Sequence, residues 1–229
     1  FAHSIRRGVN MVYIVANNGV YGLTKGQFSA TADKGAKLKK GAVNTDSPID
    51  LVQMALQLGA TFVARSFSGD KDQLVPLIKA AIEHKGPAFI DCISPCVAFN
   101  NHEGSTKSFD YVREHNEAIN ALDFVKERAP ITTDYAPGTV QVVKLHDGSF
   151  IRLRKIGAGY DVHDRNAAFS YLMSSEAKGE IVTGLVYLDP DPEDMHSHIG
   201  TVTTPLNQLG DAELVPAQTA LDKVNASLR

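Results

Sequence analysis

Three short apolar runs, MVYIVA from Met11, TFVARSF from Thr61 and PAFIDCI from Pro87, alternate with two segments patterned as helices. No other feature constrains the fold as strongly. In the first helical segment, SPIDLVQMALQLGA, Ser47 is the expected N-cap, Pro48 the first helical residue, and apolar residues recur at helical spacing. The second, DKDQLVPLIKAAIEHKG, ends at Gly86 and carries Pro76 in its first turns, where it is expected to bend the entry. Strand, helix, strand, helix, strand is the rhythm of parallel βαβ units. Met11–Ala16 is a compact apolar run, which suits a buried strand in a parallel sheet, and PAFIDCI reads as another buried strand. The expected fold class is therefore α/β, a mostly parallel sheet flanked by helices. Ligands in such sheets sit outside the carboxyl ends of the strands. Asn17, Asn18 and Cys96 all fall there.

The pattern changes from about Ile131. TVQVVKL and SFIRLRK read as a β-hairpin with Asp147-Gly148 as its turn. A helix near Asp164–Lys178 follows, then a strand at Glu180–Leu188, the polar loop DPDPEDMHSH and a short helix in the tail from Leu214. Two domains are expected: an α/β domain over 1–130 and a C-terminal extension over 131–229 with hairpin, helix and tail. The opening FAHSIRRGVN reads as the last turns of a helix that Gly8 terminates, with nothing upstream to cap it. An N-terminal portion is accordingly expected to precede Phe1.

Bulk properties exclude some functions. A net charge of −3 and an isoelectric point near 6.2 argue against a generally basic nucleic-acid binder. No apolar run approaches the roughly 20 residues of a membrane-spanning helix, and no signal-peptide pattern is visible, so a cytoplasmic protein is expected. Two cysteines do not make a disulfide framework.

The first apolar strand runs directly into NNGVYGLTKGQFSAT, from Asn17 to Thr31. A hard cation such as magnesium takes oxygen ligands and bridges them to phosphates. The Asn18 side-chain oxygen and the Val20 carbonyl have the spacing to supply two ligands from one turn. Gly19 and Gly22 permit close backbone approach. NNG alone is more often an ordinary turn than a metal site. Lys25 could steer an anionic substrate or could be a solvated loop lysine.

The longer string resembles the thiamine diphosphate loop of the beta subunits of 2-oxoacid:ferredoxin oxidoreductases, and YGLTKGQ is its most specific part. FAHSIRR, GPAFIDCISPCVAFN, YVREHNEA and DRNAAFSYL are similar to further blocks of the same subunit. The resemblance implies a thiamine-diphosphate-binding fold in which Asn18 and Val20 hold Mg2+. Asn17, Tyr21, Gly22, Leu23 and Thr24 would line the cofactor, and Leu23 and Lys25 would position the substrate. It also implies a [4Fe-4S] cluster with Cys96 as one ligand, an alpha subunit as partner, and ferredoxin as electron acceptor. The implied reaction is oxidative decarboxylation of 2-oxoglutarate to an acyl-coenzyme A. Pyruvate or another 2-oxoacid as substrate, and a non-catalytic subunit-docking fragment, are the alternatives. The acidic magnesium-binding element and three cluster cysteines of such subunits have no counterpart in this sequence.

Other candidates are weaker. Cys92 lies inside a strand and reads as a core thiol. His196 and His198 beside Asp194 could ligate a metal, but a polar loop is the commoner meaning. The basic run Lys34–Lys40 suits a solvated stretch, a ferredoxin contact or a coenzyme A phosphate contact. Arg113, Glu114, His115 and Glu117 read as a helix surface or subunit contact.

Overall fold

The computed structural model describes residues 1–24, 26–32, 34–35, 43–94, 131–145, 150–215 and 217–228. Helix α1 (Ala2–Arg6) leads into β1 (Met11–Asn17), followed by a small hairpin of β2 (Val20–Tyr21) and β3 (Gln27–Phe28). Next come α2 (Leu51–Leu58), β4 (Phe62–Phe67), α3 (Lys71–Glu83) and β5 (Pro87–Ile93). The second half contributes β6 (Val140–Lys144), β7 (Phe150–Lys155), α4 (Arg165–Glu176) and β8 (Ile181–Leu188).

Six of these strands form one sheet in the order β1-β5-β4-β8-β7-β6. The β1–β5, β5–β4 and β8–β7 pairings are parallel, whereas β4–β8 and β7–β6 are antiparallel. The result is a mostly parallel mixed sheet with flanking helices, as the strand–helix rhythm predicts. Side-chain alternation explains the coverage. Val63 and Phe89 point to one face and pack with Val52, Ala55 and Leu56 of α2 and with Ala168 and Leu172 of α4. Phe62, Ala64, Ala88 and Ile90 point to the other and meet Leu77 and Ala81 of α3. Each fully buried Val or Leu in these layers contributes about 1.5–3 kcal/mol. Burial on both sides suits the mainly apolar β4 and β5, whereas β1, expected as a buried strand, lies at the edge of the sheet and is half-exposed.

The helix boundaries differ in one instructive place. The N-cap of α2 is Asp50, not Ser47, and Pro48 lies outside the helix. The Asp50 carboxylate accepts from the Val52 and Gln53 N–H groups at 2.8 and 3.0 Å. An ionised acceptor satisfies two orphan donors more strongly than a hydroxyl does. Pro76 lies within α3, five residues past its start.

The hairpin of β6 and β7 is no separate lobe. Because β8 pairs with β4, strands β8, β7 and β6 extend the same sheet that β1, β5 and β4 begin. The chain divides into compact units at Phe1–Asp194 and Met195–Arg229. The hairpin turn expected at Asp147-Gly148 lies outside the described residues. The second unit contains α5 (Met195–Ile199), a 3-10 turn at Leu206–Gln208, α6 (Asp211–Leu214) and α7 (Gln218–Ser227), none with a buried residue. Among the described residues no helix is long and apolar enough to cross a membrane.

Candidate functional site

The turn after β1 sits at the carboxyl end of an edge strand. Asn18 Oδ1 accepts the Val20 backbone N–H at 3.0 Å, closing an Asx turn around Gly19, whose φ is +69°. Across the small hairpin, the Ser29 N–H donates to the Gly19 carbonyl at 3.0 Å, and Val20 lies opposite Phe28. Antiparallel pairs alternate, so Val20–Phe28 is a pair without ladder hydrogen bonds. The Val20 N–H and carbonyl therefore face away from β3, on the side where the Asn18 side-chain oxygen lies. That oxygen keeps a second lone pair.

Asn17 ties the turn to the sheet. Its Nδ2 donates to Asp91 Oδ1 at 3.1 Å, and its Oδ1 accepts from Thr31 Oγ1 at 2.7 Å. Ser29 Oγ lies 2.9 Å from the Thr31 hydroxyl and accepts the Thr31 N–H at 3.2 Å. Behind Asn17, Asp91 is 1% exposed, and its Oδ2 accepts from Arg65 Nε at 2.9 Å. Arg65 Nη2 reaches Asp50 Oδ1 at 2.6 Å. Burial disfavours the Arg65 charge, but the two carboxylates outweigh it and raise the pKa above the ordinary arginine value. One chain of hydrogen bonds thus runs from the N-cap of α2, through two central strands, to the loop.

A cleft of ≈ 340 Å³ opens beside this turn. Asn17, Asn18, Tyr21 and Thr31 give it a polar rim, while Phe1, Tyr13 and Phe89 supply an aromatic wall. The Phe1 ring centroid lies 5.2 Å from Tyr13 and 5.1 Å from Phe89. Such a cleft, apolar with a few convergent polar groups, suits a cofactor with a ring and a charged end.

The other expected residues fall in different places. Gly22, Leu23 and Thr24 stand at the hairpin tip, outside the cleft lining; Leu23 is fully exposed, and the Thr24 hydroxyl donates to Gln27 Oε1. Lys25, Cys96, residues 36–40 of the basic run and the Arg113–Glu117 segment lie outside the described residues. Cys92 is buried in β5, and desolvation followed by the nearby Asp91 charge pushes its thiol pKa up. His196 and His198 occupy α5 rather than a loop, and no group of three or more metal-ligating side chains occurs among the described residues.

Four partners of the site were not read from sequence: Asp50, Arg65, Asp91 and Thr31. A signal did exist for two of them. TFVARSF and PAFIDCI each place one charge, of opposite sign, inside an apolar strand, and the register sets Arg65 opposite Asp91. Charges are rarely buried unless paired.

Residues 1–92 match the family described as thiamine pyrophosphate enzyme, C-terminal TPP binding domain. The chain is 46% identical over 102 residues to the 2-oxoacid:ferredoxin oxidoreductase subunit beta of Saccharolobus solfataricus, covering 44% of this chain and 33% of the relative. It is 36% identical over 113 residues to the 2-oxoglutarate oxidoreductase subunit KorB of Mycobacterium tuberculosis, 49% of this chain and 29% of that one. Against the 2-oxoglutarate synthase subunit KorB of Methanocaldococcus jannaschii it is 39% identical over 132 residues, 56% and 49% of the two chains. The matches to these relatives span between about a third and a half of their lengths. In fold it is similar to the 2-oxoglutarate:ferredoxin oxidoreductase from Magnetococcus marinus, a structure with 2-oxoglutarate, coenzyme A and succinyl-CoA bound. That likeness has a TM-score of 0.59 at 23% identity and covers 93% of this chain and 60% of the other.

Proposed function

We propose that this chain, a homologue of 2-oxoacid:ferredoxin oxidoreductase beta subunits, is part of such a subunit and holds thiamine diphosphate through Mg2+ at the Asn17–Thr31 loop. The observation that carries this reading is the Asx turn at Asn18, which leaves the Asn18 Oδ1 lone pair and the Val20 carbonyl on one side of β2, with Asn18 itself lining the cleft. Two oxygens from one turn, a φ that favours glycine between them and an aromatic wall fit a magnesium-bound diphosphate with attached rings. Asn18 and Val20 would ligate the metal. Asn17, Tyr21, Gly22, Leu23 and Thr24 would surround the cofactor.

Bound there, thiamine diphosphate supplies the electron sink for decarboxylating a 2-oxoacid. The chain's own contribution is placement. Asn18 and Val20 would hold the metal, and through it the diphosphate. Phe1, Tyr13 and Phe89 give the cleft an aromatic wall against which the cofactor's rings would pack. Leu23, exposed at the hairpin tip, and Lys25 would meet the substrate, Lys25 through the substrate's carboxylate. That charge disperses during decarboxylation, so Lys25 positions substrate rather than accelerating the step.

For the [4Fe-4S] cluster, Cys92 is unsuitable: it is buried with a raised pKa, and the thiolate is the ligating form. Cys96 is the thiolate assigned here, with ferredoxin as acceptor, an alpha subunit as partner and coenzyme A as acyl acceptor. The preferred substrate is 2-oxoglutarate. Relatives named for 2-oxoacids in general keep pyruvate as the second reading.

Calorimetric titration of the beta subunit in its complex tests the site. Saturable binding of thiamine diphosphate that requires Mg2+ is expected; binding indifferent to the metal, or none, overturns the reading. Faster turnover of pyruvate than of 2-oxoglutarate by the complex would defeat the substrate assignment.

A further inference from the structure

Asparagine can present its amide either way round, and the Asn17–Asn18 turn depends on one orientation. Asp91 is an acceptor on both oxygens, taking the Arg65 Nε on one and the Asn17 Nδ2 on the other. The Asn17 Oδ1 is thereby turned towards Thr31, whose hydroxyl donates to it. With its proton committed to Asn17, the Thr31 hydroxyl accepts from the Ser29 hydroxyl, whose oxygen in turn accepts the Thr31 N–H. Ser29 also donates its N–H to Gly19, the residue inside the Asx turn. Donor and acceptor roles are therefore set from a buried carboxylate through Asn17 and Thr31 to the Ser29 hydroxyl, and the Ser29 backbone holds Gly19 within the turn that carries Asn18.

We infer that Asp91, clamped by Arg65, is a positioning residue that fixes the amide orientation of Asn17 and through it the geometry of the Asn18–Val20 turn. The inference deepens the thiamine diphosphate reading of this loop and rests on it for the consequence in cofactor affinity. The local part, orientation of the loop, stands on the hydrogen bonds alone.

The test exchanges the two residues. Asp91→Asn sets an amide donor against the Asn17 donor, so the Asn17 amide must invert and the Thr31 hydroxyl must turn away. Asn17→Asp sets two carboxylates against each other. The double variant Asn17→Asp with Asp91→Asn restores one donor and one acceptor at that contact, keeps an oxygen for Arg65 and leaves the Thr31 bond its acceptor. Amide hydrogen exchange is measured on the subunit without cofactor, at Val20, Ser29 and Thr31, with Ala64 in β4 as the reference for global stability. Each single variant is expected to speed exchange at the loop amides by about tenfold while Ala64 stays protected, and the double variant to return it near the parent rate. Thiamine diphosphate affinity with Mg2+ should fall by about tenfold in Asp91→Asn, which leaves Asn17 itself unchanged.

A merely structural role would expose Ala64 together with the loop and would show no rescue. Unchanged loop exchange in Asn17→Asp overturns the inference, even if Asp91→Asn fails to fold. Loop exchange that follows the exchange pattern, with no cofactor binding in the parent, upholds the positioning and defeats the cofactor reading instead.

Discussion

Arg65 and Asp91 stand opposite each other in the register of β4 and β5, and the guanidinium joins that carboxylate to the Asp50 cap of α2. Three side chains from three elements thus share one buried ionic contact. Two carboxylates around one guanidinium leave the group formally negative, so removing Arg65 would leave two carboxylates unpaired, whereas removing one carboxylate leaves a neutral pair.

Asp50 does two jobs, and they can be separated. Asp50→Ala removes the helix cap and one partner of Arg65; it should destabilise the protein by about 2–4 kcal/mol. Asp50→Asn keeps a competent cap but not the charge and should lose clearly less. Urea unfolding of both variants checks this. Equal losses would mean the cap contributes nothing beyond the ion pair.

At Asn18, Ala substitution removes both the oxygen that accepts the Val20 N–H and the assigned magnesium ligand. Thiamine diphosphate retention by the subunit should weaken by at least about tenfold, with little change in unfolding midpoint because the site is exposed. Cofactor content equal to the parent would remove Asn18 from the metal site.

Two glycines should respond differently to Ala. At Gly19, φ is +69° and the nearest atom to a new Cβ, Ala32 Cα, is 3.8 Å away, so the cost is backbone strain alone, about 1–2 kcal/mol. At Gly69 a Cβ would lie 2.2 Å from the Ile131 carbonyl oxygen and 2.4 Å from the Phe67 ring, so backbone and core must both shift. Gly69→Ala should be the more damaging by thermal unfolding, and Gly19→Asn should be milder than Gly19→Ala. A Gly69→Ala protein as stable as the parent would refute that packing.

The pair Arg154–Glu180 sets an acid dependence. Arg154 Nε and Nη2 donate to the two carboxylate oxygens at 2.5 and 2.7 Å, and that hydrogen bonding holds the Glu180 pKa below its ordinary 4.5. A depressed folded pKa gives stability that is fully present above the unfolded value and is lost as pH falls through the folded one. Carbon-detected NMR titration should find Glu180 below 4.5, with Arg154→Met returning it upward. Titration at the ordinary value in the parent would show the pair to be open in solution.

Much of the architecture was legible because its causes are local. Capping at Asp164 gives α4 a start one residue from the expected position. Gly8 takes φ +64° after α1, as a helix-ending glycine should. The Asn18–Gly19 turn was visible from residue type. Asp50 as cap was missed because Ser47-Pro48 is an equally good local start, and the choice fell to Arg65, which only the fold brings near.

By itself, the sequence determined the strand and helix segments, the glycine turns and the loop on which a cofactor was expected, since periodicity, caps and φ preferences act within a few residues. Tertiary structure alone decided that β8 lies antiparallel to β4, which makes the C-terminal hairpin part of the central sheet. It alone joined Asp91 to Asn17 across 74 residues of chain. Such contacts depend on strand order and register, and those are fixed by which apolar faces bury together, a property no single segment carries.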